Sequence, residues 1–221
     1  MSLLSATLAP RRRIVRAGDV VYRAGEPFRD LYVLNSGYCK IVNLSADGRE
    51  QVVALKFRGD WLGFDGIADQ RYTCDAVAID TGEVWVLPYE ALLGACAATP
   101  ALLTVMHAAM SREIANERES MMSLCTLTAE ARVAEFLRFW ADANARRGMR
   151  TDQITLRMTR AEMGNYLGMT LETVSRSLSR LAKEGLIEFA EKGRRELRIP
   201  SVQALQGFVD RSLLPAARVL Q

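Results

Sequence analysis

The chain has 221 residues, of which 49% are hydrophobic and 25% charged, ordinary values for one large or two small globular domains. No apolar run reaches the roughly 18 residues of a membrane span, and the start, MSLLSATLAP, lacks a convincing signal-peptide core. The four scattered cysteines, Cys39, Cys74, Cys96 and Cys125, include no C-x-x-C, so a membrane helix, a disulfide framework and a zinc site are set aside, and the chain reads as cytoplasmic with reduced, mostly buried thiols. Net charge is +3, but residues 1–127 carry 13 basic and 15 acidic side chains (−2) and residues 128–221 carry 16 and 11 (+5), which puts a polyanionic partner at the C-terminal end.

From Ile14 to about Leu93 the pattern is all-β. Short apolar runs at Val20 to Tyr22, Leu31 to Leu34, Tyr38 to Leu44, Gln51 to Lys56, Ala76 to Ile79 and Val84 to Leu87 alternate with turn signals such as Ser36-Gly37, Asp47-Gly48 and Thr81-Gly82. Many short strands at this spacing predict a barrel or jelly roll.

Thr99-Pro100 opens a long helix, with proline early, where its missing N–H costs little. Leu103, Met106, Met110, Ile114, Glu117, Met121 and Leu124 recur at intervals of three and four, close to the coiled-coil period, and predict a dimer seam. Glu117 is the odd member: in a parallel pair it faces its own mate, and two close carboxylates repel. His107, the single histidine, lies on the same helix; a surface or seam position is favoured over a haem ligand.

Leu127-Thr128-Ala129-Glu130 reads as a hinge, followed by a helix with the core stripe Val133, Phe136, Leu137 and Trp140 and a short strand at Ile154 to Met158. Thr159-Arg160-Ala161-Glu162 has capping-box spacing, Gly168 breaks the helix it starts, and Thr170 caps the next. In Thr170 to Gly185, TLETVSRSLSRLAKEG, Leu171, Val174, Leu178 and Leu181 form an apolar stripe. Glu172, Ser175, Arg176 and Ser179 line the far side, with Thr173 beside them. Two helices joined by a tight turn, the second with a short-side-chain polar face, predict a DNA-reading helix-turn-helix. Arg can pair with G O6/N7, Glu can accept from C N4–H, and Ser can do either. Leu186 to Phe189 and Leu197 to Ile199 then flank Glu191 to Arg195 as a hairpin, the wing of a winged helix, whose Lys192, Arg194 and Arg195 suit phosphate contacts; Thr159 and Arg160 complete the candidate DNA-binding set. A last helix, Val202 to Leu213, packs back on this domain.

These residues carry a resemblance. MTRAEMGNYLGMTLETVSRSLSRLAKEGLI is similar to the DNA-binding helices of the Crp/Fnr regulators, within them the Fnr/FixK branch. Gly18 to Glu26 and Ser36 to Val42 resemble the cyclic-nucleotide-binding β-roll. The resemblance implies an α+β chain: a β-roll at 1–97, a dimerisation helix at 98–127 and a winged helix at 128–221. It implies that Glu172, Ser175 and Arg176 read the half-sites of a TTGAT…ATCAA palindrome in double-stranded DNA. It also implies a homodimer that activates through RNA polymerase, partly by roll loops near Phe64 and Asp65.

The cofactors of the family fit less well. In cyclic-AMP receptors the phosphate cassette begins G-E and ends R-S/T-A; here Phe64 stands for the Glu and Thr73 or Cys74 for the Arg. Arg71 is out of place, and Asp75 adds the wrong sign of charge. Oxygen-sensing members carry a cysteine cluster before the roll and a fourth cysteine in its last strand. No cysteine precedes Cys39 here, and Trp85 holds the fourth position, so neither an iron–sulfur cluster nor cyclic AMP is expected. No phosphate loop, metal cluster or nucleophile–base pair points to an enzyme. The alternative is a sensor whose β-roll ligand, a small molecule, haem-bound gas or cyclic nucleotide, controls DNA binding.

Overall fold

The structure is a computed structural model that describes residues 2–45, 48–190 and 195–213. Two compact units divide the chain, Met1–Glu117 and Arg118–Gln221, and the boundary falls inside one long helix.

The first unit begins with a short helix, α1 (Ser2–Thr7). Among the described residues eight strands follow: β1 (Arg11–Val15), β2 (Val20–Tyr22), β3 (Asp30–Ser36), β4 (Cys39–Leu44), β5 (Glu50–Lys56), β6 (Trp61–Leu62), β7 (Asp75–Ala78) and β8 (Gly82–Pro88). They form two four-stranded antiparallel sheets, β1-β8-β3-β6 and β2-β7-β4-β5, as the double-sheet expectation requires. Two turns meet where Gly37 crosses Gly82. A Cβ on Gly37 would lie 2.9 Å from the Gly82 Cα, and one on Gly82 would lie 2.2 Å from the Ser36 carbonyl oxygen. Only glycine allows this approach.

The sequence reading missed four elements here, each for a physical reason. The exposed β1 carries three arginines in a row and shows no apolar alternation. The two-residue β6 is too short for any period, and α1 is only six residues long. The β region ends at Pro88, not near Leu93. Residues from Tyr89 form α2 (Tyr89–Ala98), in which Leu, Ala and Glu favour helix and Leu92 is buried.

The long helix is α3 (Pro100–Thr126). Its Leu102, Met106 and Ala109 are buried in the roll core with Leu31, Leu34, Val84 and Leu87. Met106 is therefore a core residue of the roll and not a seam residue. Leu103, Ile114, Glu117, Met121 and Leu124 are exposed and Met110 is half-buried. The exposed His107 takes the place of Met106, and the stripe Leu103, His107, Met110, Ile114, Glu117, Met121, Leu124 then alternates steps of four and three without exception. Lys56 of β5 is buried and ion-pairs with Glu113 of α3, tying the helix to the second sheet.

The second unit contains α4 (Ala129–Ala145), β9 (Gln153–Thr155), α5 (Arg160–Leu167), α6 (Leu171–Lys183), β10 (Glu188–Phe189), β11 (Glu196–Arg198) and α7 (Val202–Leu213). Thr128 caps α4, accepting from the Ala131 N–H at 3.4 Å. The buried Val133, Phe136, Leu137 and Trp140 of α4 form a core with Leu205 and Val209 of α7 and Val174, Leu178 and Leu181 of α6. The strands form one antiparallel sheet in the order β10-β11-β9.

Candidate nucleic-acid interface

Helix α5 starts on the expected capping box. The Thr159 hydroxyl accepts from the Glu162 N–H at 3.1 Å, and the Glu162 carboxylate accepts from the Thr159 N–H at 2.8 Å. Gly168 ends the helix in the left-handed region, at φ 62°. Arg132 of α4, which the sequence reading passed over, donates to the Leu167 carbonyl at 2.7 Å and so caps this C-terminus from the side. Thr170 then caps α6, accepting from the Thr173 N–H at 3.2 Å. At the far end Gly185, at φ 72°, closes the helix: its N–H meets the Ala182 carbonyl and that of Leu186 the Leu181 carbonyl.

The two faces of α6 separate nearly as the spacing predicts. Val174, Leu178 and Leu181 are buried, with Ser177 between them. Leu171 departs from the predicted stripe: it is 45% exposed, because the first turn of α6 projects beyond the core. On the other face Glu172, Arg176 and Ser179 are exposed and Thr173 and Ser175 half-buried. The Glu172 carboxyl is held below the usual carboxylate range, first by its own N–H at the helix start, then by the Thr170 hydroxyl and the Arg176 charge. It therefore stays an ionised, acceptor-only group. Arg176 Nη2 donates to the Thr173 hydroxyl at 3.3 Å, which orients the guanidinium along the helix. Ser179 donates to the Ser175 carbonyl at 2.9 Å. Arg180, one residue on, is taken up by Glu184 at 3.1 Å and Glu130 at 3.3 Å.

An open cleft of about 300 Å³ runs beside this face. Its polar rim is Thr159, Arg160, Ser175, Ser179 and Arg195, and its floor is Leu156, Met158, Leu178 and Phe189. Five residues singled out on three separate elements thus line one concavity. Arg195 sits where the chain re-enters β11, and its carbonyl accepts from the Leu156 N–H at 2.7 Å. Lys192 and Arg194 lie outside the described residues.

Comparison with known proteins decides the family. Residues 131–208 match the Crp-like helix-turn-helix domain and residues 12–99 the cyclic nucleotide-binding domain. Electron transport regulator A of Shewanella oneidensis is 35% identical over 182 residues, which cover 82% of this chain and 73% of that protein. The chain belongs to the Crp/Fnr family. Another Crp/Fnr relative, the fumarate and nitrate reduction regulatory protein of Escherichia coli, is 34% identical over 184 residues, covering 83% of this chain and 73% of that one. The structure of FixK2 from Bradyrhizobium japonicum superposes with a TM-score of 0.79 at 29% identity, over 90% of this chain and 97% of that one. As a Crp/Fnr member the chain is a transcription regulator that binds DNA through its helix-turn-helix.

Proposed function

We propose that the chain is a homodimeric, cytoplasmic regulator that reads an Fnr-type palindrome with one α6 in each of two major grooves. The reading residues are Glu172, Ser175 and Arg176. Thr173 positions Arg176, and Thr159, Arg160, Ser179, Lys192, Arg194 and Arg195 hold the flanking phosphates. The observation that carries this reading is the solvent-facing side of α6, where an ionised acceptor and an oriented guanidinium stand one turn apart beside a cleft rimmed by hydroxyls and arginines. Such a surface offers the acceptors and donors that base edges require, with cations at its margin for the backbone.

Two copies are needed to read two half-sites about 34 Å apart. The exposed 4-3 stripe of α3 supplies a parallel seam, so residues 1–97 serve as the roll, 98–127 as the dimerisation helix and 128–221 as the DNA-binding domain. Activation proceeds through RNA polymerase. The side chain of Asp65 is turned to partners within the roll, so the neighbouring surface, including half-buried Phe64, is the part of that loop free to meet the polymerase.

Replacing Arg176 with Ala tests the assignment. Discrimination against the wrong base at one position of each half-site should fall by about 1–3 kcal/mol per contact, with salt-sensitive nonspecific binding kept. A gel-shift series over single-base operator variants measures it. Unchanged discrimination at every position removes Arg176 from the reading set.

A further inference from the structure

The match of residues 12–99 to a cyclic nucleotide-binding domain asks whether this roll fits a cyclic phosphate. Such a ligand is an anion, and it needs N–H and O–H donors with positive charge beside them. The segment between Gly63 and Ala76 holds such donors at Thr73 and Cys74, and these are already engaged. Asp65 Oδ2 accepts from the Thr73 N–H at 2.8 Å, the Thr73 hydroxyl at 3.2 Å and the Cys74 thiol at 3.2 Å. Its Oδ1 accepts from the Tyr22 hydroxyl at 3.4 Å. Thr73 and Cys74 stand where the cassette of a cyclic-AMP receptor carries its phosphate-neutralising Arg.

The local fold aims Asp65 at these donors. Gly63 takes φ 97°, and a Cβ there would sit 3.2 Å from the Tyr72 ring and 3.3 Å from the Asp30 carbonyl oxygen. The chain can make this turn only with glycine, and it delivers Asp65 inward from the short 3-10 turn Phe64–Gly66. Aromatic rings pack behind the cluster. The rings of Tyr22 and Tyr72 stack at 4.1 Å, and those of Tyr22 and Tyr32 at 5.5 Å. Burial, then the nearby Asp65 charge, pushes the Cys74 thiol up, so it remains a protonated donor. The positive charge of Lys56 reaches Cys74, but Lys56 is ion-paired with Glu113. Arg71 donates to the Gly25 carbonyl at 2.6 Å. Asp75, which looked from its position like the cassette's obstructing charge, accepts from the Ala24 N–H at 2.7 Å and serves the neighbouring turn.

We propose that Asp65 is the roll's own anion: its carboxylate occupies the donor set that a ligand phosphate would use, and the roll is held in its folded form without a nucleotide. A phosphate brought to the same donors would meet a fixed negative charge and find the hydrogen bonds taken.

Thermal unfolding of the full chain without DNA tests this, so its result is independent of which residues read bases. Millimolar cyclic AMP or cyclic GMP leaves the melting temperature of the wild type unchanged. Asp65→Ala strips the acceptor from three residues and lowers it by about 5 °C. Sodium formate then restores several degrees to Asp65→Ala, beyond any shift the same salt gives the wild type, because a small carboxylate refills the position. Asp65→Asn keeps an acceptor for the Thr73 N–H but loses the charge, and melts between the two. A cyclic nucleotide that raises the wild-type melting temperature overturns the proposal. So does an Asp65→Asn chain that melts with the wild type, or formate acting equally on both. If Asp65→Ala does not fold, its recovery only when refolded in formate counts for the proposal, and the Asp65→Asn and nucleotide measurements still decide it.

Discussion

A methyl group added at position 164 would meet the Met169 carbonyl oxygen at 2.6 Å and the Thr170 carbonyl carbon at 3.2 Å. Gly164 therefore lets α5 lie directly on the turn that leads into α6. The contact is backbone against backbone, so no side chain can swing aside to relieve it. Gly164→Ala should cost about 1–3 kcal/mol, seen as a melting temperature several degrees lower and as weaker binding to every operator alike. A Gly164→Ala chain with unchanged melting would show that the turn can shift freely, and the fixed placement of α6 would be lost with it. Uniform weakening also separates this effect from Arg176→Ala, which in the proposed reading acts at one base position. Around the same turn, Thr170, Thr173, Glu172 and Arg176 restrain one another through short hydroxyls and the attraction of Arg176 for Glu172, so the proposed reading groups Glu172 and Arg176 are oriented before DNA arrives. Ordering them beforehand reduces the entropy lost on binding.

Among the elements, α3 has two different faces along its length. Its N-terminal half is anchored: Leu102, Met106 and Ala109 enter the roll core and Glu113 meets the buried Lys56. Its other face is the exposed stripe from Leu103 to Leu124, interrupted by Glu117. In a parallel pair two Glu117 carboxylates face each other across the seam. Their repulsion, about 1 kcal/mol in a partly screened setting, corresponds to roughly fivefold in the dimer constant. Glu117→Ala should tighten the dimer by about that factor in sedimentation equilibrium; an unchanged or weaker dimer would mean that Glu117 flares into solvent.

The same helix shows what the sequence could and could not disclose. Steps of three and four identified a long helix with an apolar stripe. They could not separate Met106 from His107, because adjacent positions differ by only 100° and methionine looks the better seam residue. What decides is the roll packed beneath, a long-range contact that carries no local signal. Leu171 was misjudged for the same reason: helical spacing gives the face, but not how far the core extends along it. The recognition helix itself was readable because caps, turn glycine and two-faced pattern all act within the eighteen residues from Gly168 to Gly185. Asp65 was not, since its partners Tyr22 and Cys74 are distant in sequence or hidden by a turn that only Gly63 permits.

For the molecule as a whole, charge and symmetry act together. The excess of positive charge lies in residues 128–221, where a polyanion is bound, while residues 1–127 are slightly negative and add no attraction of their own. In the proposed dimer the α3 seam fixes how two α6 helices address the duplex, and the two half-site contacts reinforce each other only if both grooves face the protein. Inserting about five base pairs between the half-sites turns one of them by half a helical turn to the opposite side of the DNA. One recognition helix can then bind only by breaking the seam or bending the duplex, and either costs several kcal/mol. Binding to such an operator should fall about a hundredfold, towards the affinity for a single half-site, and inserting about ten base pairs should not recover it, because the half-sites then lie about 68 Å apart, twice the span of the pair. Equal affinity for all three spacings, measured at one fixed salt concentration, would mean that each copy binds independently and that α3 sets no geometry for the pair.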